Sequence, residues 1–314
     1  MDDSPQDDLF AALPALKLLT VIERRLIKSA TAIEAGIPDE ILYQHTVFCQ
    51  TGLPYRDPGP SCRTWERTNG GIQLRVEAGT ALHPETGQWV ELGLPFGPKP
   101  RLILAYLNRE ALIHGSPEIE VDASLTGFVR GLLGYDPNGK EIRLLKEQLG
   151  RLAASLLRMG VIRDGRTTQV EAKVVSAFDF WFPKDERQRV LWPSTVRLSL
   201  DYFESLQRHA VPLDERAIAA LAHSAMALDI YAWLAQRLHR VEPGKSAFVT
   251  WAALRGQFGW HYGRMDNFKR VFRQTLDMVL SQYRGARLSL NDQGATLHHS
   301  PPPVKGRLAT VRKP

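Results

Sequence analysis

Two long amphipathic segments with basic polar faces constrain the fold of this chain most strongly. They lie at residues 139–160 and 263–284, and each follows a shorter helical stretch and precedes strand-like sequence. A helix with one apolar and one basic face, held over a core by a preceding helix, is typical of proteins that read the major groove of DNA. Two such segments in one chain predict a tandem DNA-binding protein.

The residues of both segments separate into two faces when they are plotted at about 100° per residue. The apolar faces consist of Ile142, Leu145, Leu149, Leu152, Leu156 and Met159 in the first segment and of Phe268, Val271, Phe272, Leu276, Val279 and Tyr283 in the second. The opposite faces carry Lys140, Arg143, Lys146, Arg151 and Arg158 in the first segment and Lys269, Arg270, Arg273 and Arg284 in the second. An ordinary surface helix with a solvated charged face is the alternative for either segment alone.

The cations of these faces supply the predicted DNA-binding residues. Arginine presents a forked pair of donors that matches the O6 and N7 edge of guanine, whereas lysine is better suited to phosphate. The predicted base-reading residues are Arg143, Arg151, Arg270 and Arg273. The predicted phosphate contacts are Lys140, Lys146 and Lys269, and Arg264 at the start of the second segment completes the set.

Length, charge and cysteine content narrow the class of protein. The 314 residues are enough for two domains that each have a core. The net charge of +6 and the pI of about 9.4 favour anionic partners. No apolar run approaches a membrane span, and the acidic N-terminus lacks the features of a secretory signal. Because two cysteines suit a reducing compartment, we expect a soluble cytoplasmic protein that does not bind membranes.

The order of predicted elements indicates an α+β fold, mainly helical with small β-sheets. We expect two tandem winged helix-turn-helix domains and a small β-rich N-terminal segment. The predicted boundaries are residues 1–45 for an N-terminal tail and helix, 46–190 for the first winged-helix domain with the β-rich segment, 191–300 for the second winged-helix domain, and 301–314 for a basic Pro-rich tail.

Individual elements follow from periodicity and capping residues. In the first half they are a helix at 13–35, a strand at 72–76 that pairs with 88–92, a helix at 101–114, a strand at 118–121, a helix at 125–133 capped by Ser124, and a hairpin with its turn near 163–166. In the second half they are a strand at 197–200, a short helix at 201–209, one long helix at 214–240, a strand at 246–249, a helix at 251–258 capped by Thr250, and a hairpin at 286–298. Trp260 is predicted to fill the core between two helices.

Four long blocks of the sequence, in a fixed order, resemble those of a known protein family. They are LRVEAG at 74–79, LPFGPKPRLILAYL at 94–107, VPLDERAIAALAHSAMALDIYAWLAQRLHR at 211–240 and FVTWAALRGQFG at 248–259. Over roughly residues 45–300 the chain resembles the plasmid-encoded RepA family of replication initiators. The blocks are much more specific than a short motif.

The resemblance implies a function in plasmid replication and copy control. It implies binding of double-stranded origin DNA at short direct repeats, called iterons, through two winged-helix domains. It also implies melting of an adjacent A·T-rich segment and contacts with the host initiator and the replicative helicase. In related initiators a dimer often represses and a monomer initiates, so a homodimer is one expected state.

Other functions have less support in the sequence. The chain lacks a GxxxxGK[ST] phosphate-binding loop and an obvious pair of catalytic carboxylates, so neither an enzymatic activity nor a cofactor is expected. His45, Cys49, Cys62 and His83 suggest zinc, but their spacing is looser than that of structural zinc ligands, and no metal site is predicted. The main alternative is a transcriptional autorepressor without an initiator role, followed by a metal-dependent nuclease or recombinase.

Overall fold

The computed structural model describes residues 19–36, 38, 40–83, 86–120, 130, 138–163, 166–177 and 195–304. Its helices are α1 (Val21–Ala35), α2 (Thr46–Gln50), α3 (Pro98–His114), α4 (Gly139–Ala154), α5 (Leu200–His209), α6 (Glu215–Leu221), α7 (Ala225–Arg237), α8 (Trp251–Phe258) and α9 (Met265–Gln282), with a 3-10 turn at Leu238–Arg240. The strands are β1 (Ile41–His45), β2 (Thr64–Asn69), β3 (Ile72–Glu77), β4 (Thr80–Leu82), β5 (Trp89–Glu91), β6 (Glu118–Glu120), β7 (Leu156–Arg163), β8 (Arg166–Lys173), β9 (Val175–Ala177), β10 (Thr195–Leu198), β11 (Ala210–Asp214), β12 (Ser246–Thr250), β13 (Leu288–Leu290) and β14 (Gly294–His298). The mixed α+β class is confirmed.

The strands form several small antiparallel sheets. One sheet has four strands in the order β2-β3-β7-β8, and two sheets have three strands in the orders β6-β10-β9 and β12-β14-β13. Two further sheets are the pairs β4-β5 and β1-β11. Along the chain, helices α8 and α9 lie between strands of the β12-β14-β13 sheet. Strand β12 directly precedes α8, and β13 follows α9.

Residues from the N-terminal part of the chain pack against elements of the second half. Strand β1 pairs with β11 along its whole length, from Ile41 opposite Asp214 to His45 opposite Ala210. Helix α1 packs on α6 and α9, and α2 packs on α7. The Gln282 side chain of α9 donates a buried hydrogen bond of 2.9 Å to the Leu26 carbonyl of α1. The division into domains at residue 190 stays a prediction.

A buried ion pair also joins α3 to α7. Arg101 donates from Nε and one terminal nitrogen to the carboxylate of Asp229, at 2.6 and 2.8 Å. The same guanidinium donates to the Leu53 and Gly97 carbonyls at 2.6 and 2.7 Å. Burial raises the pKa of the Asp229 carboxyl, and the adjacent charge of Arg101 opposes that rise. Because a buried charge is tolerated only when it is paired, both side chains fix the position of their helices.

Most of the predicted elements are confirmed. They include the strand at 72–76, the helix at 101–114, the short helix at 201–209, and the β12, α8, β13 and β14 elements of the second half. Strands β7 and β8 form the predicted hairpin, in which Arg163 lies opposite Arg166. The strand predicted at 118–121 is β6 as far as Glu120. The predicted helix at 125–133 and its cap Ser124 lie outside the described residues, apart from Arg130, which is helical.

The first basic helix is shorter than predicted, because α4 ends at Ala154 instead of reaching residue 160. Ser155 has an extended backbone, and Leu156 begins strand β7. Leu157 and Met159 are both buried on that strand, with 0% and 2% exposure. The apolar residues at 156–159 satisfy a period of two as well as the helical period, so the helical assignment was wrong for this part.

The prediction of one long helix at 214–240 is also wrong. These residues form two helices, and a strand precedes the first of them. Residues 210–214 form β11, α6 ends at Leu221, and α7 begins at Ala225. The Ser224 hydroxyl accepts a hydrogen bond from the Ala227 amide at 3.2 Å and so caps α7. Serine is a strong N-cap residue, and a cap within a run of good helix formers starts a new helix.

Two smaller predictions also need correction. Helix α1 begins at Val21, since the Thr20 side chain caps it and forms a capping box with Glu23. Residues 13–18 of the predicted helix lie outside the described residues. Strand β5, predicted to pair with β3, pairs instead with β4, from Thr80 opposite Glu91 to Leu82 opposite Trp89. Strand β3 has no free edge for it, because β2 and β7 occupy both sides.

Candidate nucleic-acid interface

The second basic segment is positioned by a tight turn between two helices. Thr250 caps α8 by accepting a hydrogen bond from the Ala253 amide at 3.2 Å, as predicted. Helix α8 ends at Phe258, and a Cβ atom on the next residue, Gly259, would lie 2.3 Å from the Phe268 ring of α9. Only a residue without a side chain allows the turn to approach the ring this closely. Gly259 therefore sets the position of α9 relative to α8.

Helix α9 packs through a face of aromatic and aliphatic side chains. Phe268, Phe272, Leu276 and Val279 are each 0–3% exposed. The ring centroids of Phe268 and Phe272 lie 6.3 and 5.7 Å from that of Trp251 in α8. Such edge-on aromatic contacts add to the stabilisation from burial. The predicted apolar face is therefore the buried one, which leaves the cationic face outside.

The cationic face of α9 brings four of the predicted DNA-binding residues together. Arg264 lies at the N-cap, and its guanidinium is paired with Asp266 at 2.6 Å. Arg270 and Arg273 are exposed, and Lys269 is half-buried. Among the described residues, Arg270 donates hydrogen bonds to the neutral side chains of Asn267 and Gln274 and to no carboxylate. These side chains can exchange such partners for DNA without leaving a buried charge.

The turn between β13 and β14 lies beside this face. The Lys269 ammonium donates to the Asp292 carbonyl at 3.2 Å, and the Trp251 indole donates to the Asn291 carbonyl at 2.9 Å. The Lys269 ammonium and the Arg273 guanidinium each lie 5.2 Å from the centre of the Trp251 ring. The helix face and the turn at residues 291–293 therefore form one continuous surface.

The four predicted DNA-binding residues of the first basic segment lie on a separate helix, α4. Asn138 caps α4 and forms a capping box with Glu141. Lys140 and Arg143 are exposed, whereas Lys146 is half-buried and its pKa is lowered by burial. Leu145, Leu149 and Leu152 on the opposite face are at most 1% exposed. The orientation of the helix is therefore as predicted, with Lys140 and Arg143 open to solvent.

Arg151 and Arg158 differ from the other cations of this segment. Arg151 is only 16% exposed, is paired with Glu147 at 2.7 Å and Asp57 at 3.3 Å, and donates to the Leu94 carbonyl at 3.1 Å. These contacts hold α4 against residues 93–96, which makes a structural role the simpler explanation for this predicted base reader. Arg158 lies on β7 and not on α4, where it bonds to Glu77 and Glu171.

A cluster of Trp65, Arg67 and Trp260 was not predicted. The Arg67 guanidinium lies 3.8 Å from the centre of the Trp65 ring and 5.0 Å from that of Trp260, and burial lowers its pKa to about 10. Trp260 is 38% exposed, so it does not fill the core between helices as predicted but packs against strand β2. The sequence signal was the i, i+2 spacing of Trp65 and Arg67, which places both side chains on one face of a strand.

This cluster brings further positive charge to the start of α9. Burial lowers the pKa of His261, and the charges of Arg56 and Arg67 lower it further. Burial raises the pKa of Tyr262, while Arg56 and Arg270 oppose the rise. Both residues lie in the turn that leads into α9. The turn therefore lies in a positive field to which the β-rich segment contributes.

His45 and Cys49, two of the residues weighed for zinc, have other surroundings in the structure. His45 Nε2 lies 3.0 Å from the Ser205 hydroxyl, and Cys49 is buried with a raised pKa, mainly because of burial. Among the described residues, no group of three or more His, Cys, Asp or Glu side chains is arranged to hold a metal ion. In the same part of the chain, no helix is both long and apolar enough to cross a membrane.

Comparison with known proteins identifies the class. A family model described as plasmid-encoded RepA protein matches residues 94–253, which is half of the chain. The match includes α3, α4, α7 and the start of α8. The chain therefore belongs to the plasmid-encoded RepA family of replication initiators.

Solved structures and curated proteins were also compared with the chain. Two crystal structures of domains 2 and 3 of RctB are similar, one of selenomethionine derivatives and one of RctB residues 155–483. Their TM-scores are 0.49 and 0.45 at 9% identity, over 80% of this chain and over 96% and 94% of theirs. No curated protein matches the chain.

Proposed function

We propose that this protein initiates plasmid replication by binding repeated sequences at the origin with the cationic face of α9. The observation that carries the proposal is the placement of Arg270 and Arg273, exposed on a helix whose other face is buried, beside the turn at residues 291–293. The major groove is about 12 Å wide and admits one α-helix. Helix α9 supplies the donors that guanine edges require, and the turn beside it lies close enough to reach the adjacent backbone.

The element order supports a winged helix in the second half. The sequence of elements is α7, β12, α8, α9, β13 and β14, and the three strands form one sheet with β14 in the centre. In a winged helix the second helix of the pair enters the major groove, and the hairpin forms the wing. In this assignment α9 is the recognition helix and residues 291–293 form the tip of the wing.

The first half follows a related order with a different sheet. Helix α3, strand β6, helix α4 and the β7–β8 hairpin follow one another as α7, β12, α9 and the β13–β14 hairpin do, but the β7–β8 hairpin pairs with β3 and not with β6. We propose that this unit is a second, modified winged helix, in which Lys140 and Arg143 contact DNA. Both basic helices then enter successive major grooves on one face of the duplex, about 10 base pairs apart.

Footprinting on the DNA next to the gene tests the proposal. We expect a ladder of evenly spaced protected repeats for the wild-type protein. An Arg270→Ala/Arg273→Ala variant should lose the specific footprint, because each bidentate contact with guanine contributes about 1–3 kcal/mol. Arg24→Ala/Arg208→Ala, which removes the same charge from exposed sites on α1 and α5, is the matched control and should leave the ladder unchanged.

The same experiment separates the proposed roles and the alternatives. A Lys140→Ala/Arg143→Ala variant should shorten each protected repeat on one side, whereas an unchanged footprint would exclude α4 from DNA. One protected palindrome, with an origin plasmid that replicates without the gene, would favour the autorepressor. Metal-dependent cleavage of origin DNA would favour a nuclease. In the initiator proposal, melting of adjacent DNA and contacts with the host initiator and helicase follow repeat binding.

A further inference from the structure

A second basic surface lies at the end of the β12-β14-β13 sheet that is remote from the wing tip. Thr250 lies opposite Gly294 at one end of the sheet, next to α8 and the turn at 291–293, and Ser246 lies opposite His298 at the other. At about 3.3 Å per residue, the four steps along β12 separate these two ends by roughly 13 Å. The second surface therefore lies away from the cationic face of α9.

Two adjoining depressions form this surface, which we call the far-end patch. One depression has a volume of about 510 Å³, the other has a volume of about 210 Å³, and both are lined by Lys245 and Ser246. The cationic residues of the patch are Arg237, Arg240, Lys245 and Arg287, with the imidazoles of His298 and His299 at its edge. Glu242 is the one carboxylate among the described residues that line the patch, and it is paired with Lys245 at 2.5 Å. Within the described part of the chain, Arg237, Arg240 and Arg287 form no ion pair.

The backbone beneath the far-end patch is held by hydrogen bonds between three segments. The Ser300 amide donates to the Leu238 carbonyl at 3.3 Å, and the His298 amide donates to the Arg287 carbonyl at 2.9 Å. The Arg287 amide donates to the Ser300 hydroxyl at 2.9 Å, and His299 Nδ1 lies 2.7 Å from the Val241 carbonyl. The cations are therefore carried by a fixed surface and not by a loose tail.

The turn that presents Lys245 is also fixed. The Lys245 amide donates to the Glu242 carbonyl at 3.0 Å, and Gly244 between them has a φ of 79°. A four-residue turn with proline second and a positive φ at the third position is a type II turn, which glycine favours. Pro243 and Gly244 occupy those positions. The sequence itself therefore specifies how Lys245 faces the patch.

The chemistry of the far-end patch fits a sugar–phosphate backbone better than a protein. Protein interfaces depend on buried aromatic or aliphatic anchors. The apolar side chains among the described lining residues of the patch are Val241, Pro243 and Ala247. A phosphate backbone needs cations and hydrogen-bond donors, which predominate here. The depressions are shallow and their cations are spread along both, which suits a chain of phosphates better than a single small anion.

We propose that the far-end patch binds the backbone of a DNA segment other than the one read by α9. That segment is the duplex that flanks the repeat, bent around the second unit. The identification of the ligand as duplex DNA rests on the proposed function, whereas the patch itself rests on the placement of its charges. Contact at both ends of one small sheet would hold two DNA segments close together.

A charge-matched pair of variants tests the proposal. The patch variant is Arg240→Gln/Lys245→Gln/Arg287→Gln, and the control is Arg24→Gln/Lys28→Gln/Arg208→Gln, which removes the same charge from exposed sites on α1 and α5. Binding is measured by fluorescence anisotropy over a range of salt concentrations. The probes are a short duplex that covers one footprint, a long duplex with flanking DNA, and a long duplex of unrelated sequence. Thermal unfolding confirms that both variants fold.

On the long duplexes the patch variant should bind at least tenfold more weakly at low salt. The slope of log K against log salt should fall by about 2–3 units, since each lost phosphate contact removes about 0.9. On the short duplex its affinity should stay within twofold of wild type. Equal losses on short and long duplexes, equal losses in the control, or no loss at all would overturn the proposal. The last outcome would leave an acidic protein as the occupant.

The failure of the proposed function gives a different result. A wild-type protein that binds repeat and unrelated duplexes equally would contradict sequence-specific initiation. The salt slopes on the unrelated long duplex would still show whether the far-end patch contacts phosphates.

Discussion

At the scale of single residues, local partners decide what a cation can do. Arg151 and Arg273 lie on helices of similar design, and both were predicted to read bases. Arg151 is enclosed by two carboxylates and the Leu94 carbonyl, whereas Arg273 is exposed and touches the face of a tryptophan. If the Arg151 side chain bound DNA, it would lose the contacts that hold α4 in place. The Arg273 side chain can bind DNA without the loss of such contacts. Periodicity shows which face a residue occupies, but it does not show which loop packs against that face.

His45 should make stability depend on pH. Burial lowers its pKa to about 3, its Nδ1 accepts a hydrogen bond from the Val47 amide, and its Nε2 is bonded to the Ser205 hydroxyl. The unfolded chain binds a proton near pH 6.5 and the folded chain does not, so stability falls as the pH drops from 6.5 towards 3. Between pH 6.5 and 5 this should cost about 2 kcal/mol of unfolding free energy.

The comparison with His45→Asn isolates this effect. Asparagine keeps a cap acceptor for α2 but does not titrate. Both proteins contain Glu215, whose pKa is raised to about 7 by burial and by Glu40. Protonation of Glu215 increases the stability of the folded state as the pH falls, which is opposite to the effect of His45. The difference between the two proteins in urea titrations at pH 6.5 and 5 therefore reports on His45. Equal pH dependence in both would show that His45 is protonated in the folded state.

At the scale of elements, the turn before α9 offers a sharp test. Gly259→Ala would place a Cβ atom against the Phe268 ring, which is fully buried. We expect a loss of about 1–3 kcal/mol in unfolding free energy, since overpacking forces neighbouring groups to shift. Because the shift moves the start of α9, repeat binding should weaken in protein that is still folded. Urea unfolding and anisotropy on one repeat measure the two effects.

Gly256→Ala is the control for this substitution. Gly256 lies within α8, and a Cβ atom there would meet nothing within 4 Å. Replacement of an exposed helical glycine should stabilise the protein by about 0.5–1 kcal/mol without changing DNA affinity. If Gly259→Ala were equally harmless, the turn would not determine the position of α9.

The sequence predicts elements well where one signal dominates. Helices α3, α8 and α9 and the β7–β8 hairpin have clear periodicity, caps or turns, and all are confirmed. The prediction fails at residues 156–159, because their apolar pattern fits both the helical period and the two-residue period of a strand. It also fails at Ser224, where a serine within a run of helix-forming residues begins a new helix. The spacing of Trp65 and Arg67 places them on one face of a strand, but the addition of Trp260 to the cluster could not be predicted, because that contact joins residues almost 200 positions apart.

At the scale of the whole molecule, local sequence patterns do not predict which distant segments pair. Strand β11 contains a proline and follows a helix directly, so the sequence alone predicts a break between helices there. It is a strand because β1 supplies its partner, with Tyr43 opposite Pro212. Helix α1 likewise packs on α6 and α9, far from it in sequence. The resemblance to a family covered both halves of the chain but did not show how they are joined.

The pair of Arg101 and Asp229 should determine how strongly the two halves are held together. Asp229→Asn leaves the Arg101 charge buried without a counter-charge, which should cost about 3–5 kcal/mol. Arg101→Met removes the charge but also the donors to the Leu53 and Gly97 carbonyls. The double variant contains neither charge, so its loss should be smaller than the sum of the two single losses by at least about 2 kcal/mol. Urea unfolding of the four proteins, followed by tryptophan fluorescence and far-ultraviolet circular dichroism, measures this coupling. The two probes should report one shared transition in every protein, because α3 and α7 form part of one core. Additive losses would mean that the pair does not couple the helices, and separate transitions would mean that the halves unfold independently.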